Sequence, residues 1–256
     1  MRSARPAPTA LTMVGESTFA RRVRAATVPI MITFGAVRCD ASRALLPGVA
    51  RLAEQYAGRV LALRVDVDRS PLLAEQYGVM ATPTVLVLQD GEELTRMTGF
   101  APEPLVRLLF EQVIAGGLAP GRPWSPIEQA FEDAVIIPLL DAWGWTYRRQ
   151  VACPIPADKS VARGRVDILA YADDAITPLA LFENKRQIAS SGALQQAVAQ
   201  ARGYAEVLRM VSFVVAAPAG MWVYRLDSGR ARLVQAFSSL EVATTPHVVK
   251  HTLRWT

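Results

Sequence analysis

The sequence has little of what several common kinds of protein require. Its 256 residues include two cysteines, two histidines, three lysines and one asparagine. Two cysteines are too few for a disulfide framework and fit a reducing compartment. With no close Cys/His cluster, no zinc site is expected. No apolar run approaches the ~20 residues that cross a bilayer, and the first 23 residues contain no signal-peptide core. We therefore expect a cytoplasmic protein without a membrane partner.

Length and composition indicate a folded protein with two domains. The chain is 51% hydrophobic and 20% charged, and its length suggests two domains of about 100–150 residues each. The formal net charge of +5 is compatible with a polyanionic partner but too small to indicate nucleic acid by itself. Gly and Pro crowd residues 115–125, and because these residues end helices we expect a linker there. The domains would then be 1–114 and 126–256.

Both halves alternate apolar strands with helical segments, which predicts an α/β fold. In the first half, Asp90-Gly91 between two apolar runs indicates a hairpin. In the second half we expect a central mixed sheet flanked by helices. Its strands Val166–Ala172 and Leu179–Asn184 should form a hairpin-like pair.

A cysteine stands where a buried strand meets a helix in the first half. Cys39 occupies that junction, and Pro83 directly precedes another buried strand. Together with the Asp90-Gly91 hairpin, these residues resemble the thioredoxin family over about residues 12–114. The resemblance implies a thioredoxin-like domain with a cis peptide bond at Pro83, beside the reactive thiol.

The thiol site departs from that family at several positions. Dithiol exchange needs two thiols, one to attack a disulfide and one to resolve the mixed disulfide, but Ser42 occupies the second position. Arg38 replaces the usual tryptophan and Thr33 the buried aspartate of thioredoxins. One interpretation is a scaffold for protein contact or dimerisation. The other is a monothiol redox protein in which the helix N-terminus and Arg38 or Arg43 lower the pKa of Cys39.

Two carboxylates and a lysine mark adjacent strands of the second half. Asp167 lies in one strand, and Glu183 ends the next, with Lys185 two residues later and so on the same face. Carboxylate oxygens suit Mg²⁺ or Mn²⁺. Such an ion neutralises phosphate charge and activates water, as phosphodiester hydrolysis requires. Asp167 and Glu183 are therefore candidate metal ligands.

Asp167 with Glu183-Asn184-Lys185 resembles the PD-(D/E)xK nuclease superfamily, with Val166 in place of its proline. The resemblance implies a restriction-endonuclease-like α/β domain, with the Asn184 carbonyl as a candidate third metal ligand. It also implies that Lys185 positions or deprotonates the attacking water and stabilises charge on the phosphorane. An Asp followed by Glu-x-Lys also arises by chance, and Lys185 would then be an exposed lysine at a strand end.

Other elements in the same order extend the resemblance to the N-terminal nuclease domain of type I restriction endonuclease subunits, over about residues 124–236. Gln200 and Tyr204 match the Gln-hydrophobic-x-x-Tyr motif of RecB-like nucleases. They share a helical face, from which they could contact the active-site edge or a substrate phosphate. The alternative is an amphipathic helix that simply packs Tyr204 on the sheet.

Two glutamates of the opening helix are further candidates. Glu128 matches an additional acidic group of those nuclease domains, but Ser125-Pro-Ile-Glu128 also fits a helix capping box. Glu132, one turn later, is either the alternative acid or a solvated surface charge.

Three hypotheses follow. The first is a Mg²⁺- or Mn²⁺-dependent nuclease acting on DNA, in a restriction or anti-phage context. Its thioredoxin-like domain would serve assembly, partner binding or homodimerisation. The second is a nucleic-acid-binding module with a catalytically degenerate nuclease fold. The third is a monothiol redox-regulated protein acting through Cys39.

Overall fold

The computed structural model describes residues 10–118, 120–121, 123–153, 164–171 and 177–254. The chain forms two compact units, Met1–Trp124 and Ser125–Thr256. The division falls near the end of the Gly/Pro-rich stretch, because Trp124 belongs to the first unit. Its amide donates to the Arg96 carbonyl over 2.8 Å and its indole to Gln112 over 2.7 Å. In the described part of the chain, no helix is long and apolar enough to cross a membrane.

The first unit is a five-stranded mixed sheet with four described helices. The strands are β1 (Leu11–Met13), β2 (Ile30–Gly35), β3 (Leu61–Asp66), β4 (Thr84–Gln89) and β5 (Glu92–Thr98), and the helices are α1 (Glu16–Arg24), α2 (Asp40–Gln55), α3 (Pro71–Gln76) and α4 (Glu103–Ile114). The sheet order is β1-β3-β2-β4-β5. Strands β1, β3 and β2 are parallel, whereas β4 is antiparallel to both β2 and β5.

The central strand β2 positions the thiol site. All six of its residues are buried, and Ile32 and Phe34 belong to the core of this unit. Phe34 lies opposite Thr84 of β4, so the chain entering α2 and the chain entering β4 meet at one end of the sheet. Cys39 and Pro83 lie on these two segments.

The second unit contains a six-stranded sheet, in agreement with the expected mixed α/β class. The strands are β6 (Thr146–Cys153), β7 (Gly164–Tyr171), β8 (Pro178–Asn184), β9 (Ser212–Ala217), β10 (Gly220–Asp227) and β11 (Arg230–Ser238), and the helices are α5 (Glu128–Phe131), α6 (Ile137–Ala142), α7 (Ser191–Val207), α8 (Ser239–Thr244) and α9 (Pro246–Arg254). The order is β11-β10-β9-β8-β7-β6. Only the β8–β9 pair is parallel. Ala172, the expected end of β7, lies outside the described residues.

Strand β8 lies at the centre of this sheet under helix α7. Ala197, Ala201 and Tyr204 of α7 pack with Leu181 of β8 and Phe213 of β9. Since side chains alternate along a strand, Glu183 follows Leu181 on the face toward α7. Residues 180 to 184 of β8 are all buried, so a carboxylate at position 183 is removed from water.

The opening helix of the second unit is irregular where the sequence predicts one continuous helix. Residues Glu132–Ile136 form a π-helical segment between α5 and α6. A π turn accommodates an extra residue and changes the direction of the side chains around it. Glu132 is consequently buried, with 3% of its surface exposed.

Candidate active site

Asp167 lies where the ladder between β7 and β8 ends. The last register pair at that end is Ile168 with Phe182. One residue further, Asp167 Oδ2 accepts a hydrogen bond from the backbone amide of Asn184 over 2.7 Å. Its Oδ1 accepts a longer one, 3.3 Å, from the side chain of Gln150. The half-buried carboxylate is thus held beside the end of β8.

Glu183 is a buried acid with one unpartnered oxygen. Its Oε1 accepts a hydrogen bond from Lys185 Nζ over 2.6 Å. Its Oε2 has no hydrogen-bond partner among the described residues. Burial, together with the negative charge of Asp167, raises the pKa of Glu183 to about 7 despite the neighbouring lysine. The charged form of Glu183 is therefore destabilised even with the Lys185 ammonium beside it.

The pKa of Asp167 is raised as well. Burial is the main cause, and the charges of Glu132 and Glu128 add to it, whereas the Asn184 amide and Lys185 oppose it. Two carboxylates that disfavour each other's ionisation form a site that a positive ion would stabilise.

Lys185 joins the acids to helix α7. Its Nζ donates to Glu183 and, over 3.2 Å, to Gln200 Oε1. Gln200 in turn donates to the Tyr204 hydroxyl over 3.3 Å. Tyr204 also packs in the core, as the packing interpretation predicts, and its place in a nuclease motif stays a prediction. Burial lowers the pKa of Lys185, but its hydrogen bond to Glu183 and the charges of Glu183, Glu128 and Asp167 outweigh burial and raise it.

The structure contradicts the capping interpretation of Glu128. Helix α5 begins at Glu128 itself, with Ile127 at the cap position and no side-chain cap. Ser125 Oγ instead donates to the Arg186 carbonyl over 2.6 Å, and Glu128 Oε1 accepts weakly from the Arg186 amide over 3.4 Å. Glu128 therefore lies beside the segment that follows Lys185, where its charge raises the pKa values of Asp167 and Glu183.

Glu132 is not the solvated surface charge that its position suggested. The π-helical segment buries it, and Arg149 of β6 donates to its Oε2 over 2.8 Å. The same guanidinium reaches Asp133 over 2.6 Å. Because its charge raises the pKa of Asp167, Glu132 belongs to the electrostatic surroundings of the site. Arg149 was the feature of the sequence that could have indicated the burial of Glu132, since a buried acid requires a counter-charge.

The oxygen donors of the site fit Mg²⁺ or Mn²⁺. Asp167 and Glu183 carry the hard carboxylate oxygens that such ions prefer, and Glu183 Oε2 is a buried acceptor without a partner in the described part of the chain. Within the same residues, no group of three or more His, Cys, Asp or Glu side chains is arranged to hold an ion. Asn184 is fully buried, and metal ligation by its carbonyl stays a prediction.

The thiol site of the first unit has a different character. Cys39 precedes α2 as its cap residue, and its Sγ donates to the Thr82 carbonyl over 3.4 Å. The Thr82–Pro83 bond is cis, as the resemblance implied. Ser42 is buried, and its Oγ accepts a hydrogen bond from the Ala36 amide over 3.4 Å. The position of a resolving thiol therefore holds a structural hydroxyl.

Hydrogen bonds around Cys39 lower the pKa of its thiol. Burial raises the pKa of its thiol, but hydrogen bonds involving Ser42, Thr82 and the Ala41 amide outweigh burial and lower it. Arg38 and Arg43 are not among the groups that lower this pKa, and both pair with nearby acids. Arg38 contacts Asp68 over 2.9 Å, and Arg43 pairs with Asp40.

The second cysteine, Cys153, and the thiol-site residue Thr33 are both buried. Cys153 lies in the core of the second unit, where burial raises the pKa of its thiol. It is a buried structural cysteine. Thr33 on β2 is also buried, and its hydroxyl has no hydrogen-bond partner among the residues that the structure describes.

Comparisons with known proteins concern the thioredoxin fold. The family model described as Thioredoxin matches residues 10–110. Thioredoxin 1 of Nostoc sp. is 30% identical over 103 residues, which are 40% of this chain and 96% of that protein. Thioredoxin 1 of Synechococcus elongatus is 31% identical over 90 residues, 35% of this chain and 84% of that protein. A crystal structure of chloroplastic thioredoxin z covers 41% of this chain and 96% of its own, with 23% identity and a TM-score of 0.38.

Proposed function

The chain belongs to the thioredoxin family through residues 10–110, and on that premise we propose that a metal-dependent nuclease is joined to this domain. The second unit would hydrolyse DNA, and the thioredoxin-like unit would serve assembly or partner binding. One observation carries the proposal: the Glu183–Lys185 ion pair lies beside Asp167 where the central strand β8 ends. This retained set of reactive groups favours hydrolysis over a degenerate binding module.

Each residue of this set has a role that its contacts support. Asp167 and Glu183 would hold Mg²⁺ or Mn²⁺, which supplies a polarised water and neutralises phosphate charge when bound. The surrounding carboxylates raise the pKa of Lys185, which favours its ammonium form. Lys185 would therefore stabilise the negative charge that develops on the phosphate oxygens. Gln200, anchored on Tyr204, holds that ammonium in place.

DNA as the substrate is proposed from charge, and defence as the context from analogy. The net charge of +5 is compatible with a polyanion. The restriction or anti-phage setting is an analogy with the type I restriction subunits that the sequence motifs resemble. The cleavage assay must therefore compare nucleic acids.

A cleavage assay tests this proposal. Supercoiled plasmid, single-stranded DNA and RNA are incubated with the full chain in Mg²⁺, Mn²⁺ or EDTA. We expect metal-dependent cleavage of DNA, reduced about 100-fold or more by Lys185→Ala and Asp167→Asn. Gln195→Ala, an exposed change on another face of α7, is the matched control and should cleave like wild type.

Two outcomes would reject hydrolysis of DNA. One is equal cleavage by wild type and Lys185→Ala, which would indicate a contaminating enzyme. The other is no cleavage with any metal. If DNA binding is nevertheless retained and survives Asp167→Ala, the second unit is a degenerate binding module.

A second candidate function rests on the lowered pKa of Cys39. Its thiolate would attack one sulfur of a disulfide, form a mixed disulfide and release the other sulfur as a thiolate. With Ser42 in the resolving position, that adduct would persist. Incubation with glutathione disulfide should give one glutathione adduct, located at Cys39 by mass spectrometry and absent from Cys39→Ser. Lack of an adduct would eliminate this function.

A further inference from the structure

The outer edge of β11 is open. This strand ends the sheet and pairs on one side only, with β10. It is nine residues long, and most of its residues are exposed. An unpaired strand edge presents backbone donors and acceptors that another extended segment can pair with. In the described part of the second unit, β11 is therefore a ready acceptor for an added strand.

An apolar groove adjoins this edge on the face covered by α7. Its volume is about 530 Å³, and its lining includes Tyr224 of β10, Ala231 of β11 and, from α7, Leu194 and Val198. Leu233 is the register partner of Tyr224 and therefore lies on the same face. Leu233 is 47% exposed, so the apolar surface extends from the groove to the open edge.

Arginines lie on both faces of the sheet beside this edge. Arg202 and Arg230 line the groove, whereas Arg232, between Ala231 and Leu233, lies on the opposite face of β11. Arg202 pairs loosely with Glu206 over 3.6 Å. For Arg230 and Arg232, the described residues include no acidic partner within ion-pair distance. A complementary occupant therefore carries negative charge.

Charge and apolar lining together select the kind of occupant. A second copy pairing through β11 would bring no acidic residue to these arginines, because the strand itself contains none. A nucleic acid would match the charge, but its phosphates would leave the apolar floor formed by Tyr224 and Ala231 without a counterpart. An extended peptide with alternating apolar and acidic side chains matches the edge, the groove and the charge at once.

We propose that β11 and the adjoining groove bind an extended acidic segment of a partner protein, which adds to the sheet as a further strand. Apolar side chains on one face of that segment enter the groove between α7 and β11. Its acidic side chains meet Arg230 and Arg232, while backbone hydrogen bonds to β11 provide affinity. This site is independent of the proposed nuclease site.

Selection from a display library tests the proposal. Random peptides about twelve residues long, enough to span one strand, are panned against the full chain. We expect enriched sequences that alternate apolar and acidic residues. Fluorescence anisotropy of the synthetic peptides should show binding weakened about tenfold or more by combined Arg230→Glu and Arg232→Glu. Arg148→Glu on β6, the other edge strand, should bind like wild type.

Two further measurements separate the strand from a general charge effect. Hydrogen exchange should show protection of β11 amides on peptide binding and none at β6. A peptide with lysine in place of its acids should bind the doubly reversed variant better than wild type.

The competing occupants give different results. Failure to enrich peptides, or equal affinity for wild type and the doubly reversed chain, would overturn the proposal. Sedimentation that shows a dimer broken by Leu233→Arg would assign the edge to a second copy. Displacement of the peptide by a single-stranded oligonucleotide, lost on the same arginine reversals, would assign it to nucleic acid.

Discussion

The carboxylate of Asp167 takes the place of a backbone carbonyl opposite Asn184, whose amide donates to it over 2.7 Å. The ladder between β7 and β8 stops at the pair Ile168 and Phe182, so the Asn184 amide donates to a side chain of β7 instead of to its backbone. This bond fixes the carboxylate near the strand that carries Glu183. Asp167 and Glu183 are thus brought together at the point where backbone pairing between β7 and β8 stops.

Burial of Glu183 makes the stability of the second unit depend on pH. Its pKa is raised from 4.5 to about 7, so the folded chain retains a proton that the unfolded chain releases. This stabilising contribution is fully present below about pH 4.5 and is lost as pH rises through about 7. At ~1.4 kcal/mol for each unit of pKa, the loss is about 3 kcal/mol. We expect Glu183→Gln to be stabilised relative to wild type at pH 8 but not at pH 4.

Thermal unfolding of both proteins across this pH range checks the expectation. A difference in midpoint that does not change with pH would contradict a raised pKa for Glu183. Addition of Mn²⁺ at pH 8 supplies a second measurement. It should stabilise wild type and have little effect on Glu183→Gln, because binding to the folded state alone raises the free energy of unfolding.

The hydroxyl of Tyr204 should matter to the position of Lys185. Tyr204→Phe keeps the packed ring but removes the acceptor that anchors Gln200. A hydrogen bond of this kind contributes about 1 kcal/mol, so kcat should fall about fivefold. Mn²⁺ affinity should remain unchanged, since the carboxylates are untouched. Plasmid cleavage no slower than that of Gln195→Ala would contradict this role.

Ser42 should control the reactivity of Cys39. Its hydrogen bonds lower the pKa of the thiol, so Ser42→Ala should move the pH midpoint of iodoacetamide alkylation upward. Arg38→Ala and Arg43→Ala serve as controls and should leave that midpoint in place. An upward shift in either arginine variant, with none in Ser42→Ala, would mean that the arginine and not Ser42 lowers the pKa of Cys39.

Loss of Arg149 should destabilise the second unit. Arg149→Ala leaves the Glu132 carboxylate buried without its counter-charge, whereas Glu132→Gln with Arg149→Ala removes the charge as well. About a third of the Arg149 side chain is exposed, so we expect a loss of about 2 kcal/mol, below that of a fully buried pair. Urea unfolding should show the double variant to be the more stable of the two. The reverse order would mean that Arg149 acts mainly through Asp133.

Local patterns predicted most of the strands but not the contacts between distant segments. The apolar alternation of β7 and β8 and the turn at Asp90-Gly91 are local signals, and both pairs form. Strand β1 was missed because its three residues become a strand only by pairing with β3, as in Thr12 with Leu63.

The site shows the same limit. Spacing alone placed Glu183 and Lys185 on one face, and they form an ion pair. The capping interpretation of Glu128 failed because Ser125 is bound by Arg186, far along the chain. The burial of Glu132 depends on Arg149 from another strand. The pKa values of the acids also depend on these distant neighbours, which no local pattern records.

The π-helical segment Glu132–Ile136 makes the site sensitive to the number of residues in a helix. Removing one residue, such as Ala134, would allow a regular α-helix and turn the preceding residues by about 100° about its axis. Glu128 would then lose its contact with Arg186, and Glu132 its contact with Arg149, although neither acid had been substituted. A single deletion would thus move both charges that raise the pKa of Asp167, whereas substitution of either glutamate removes only one of them.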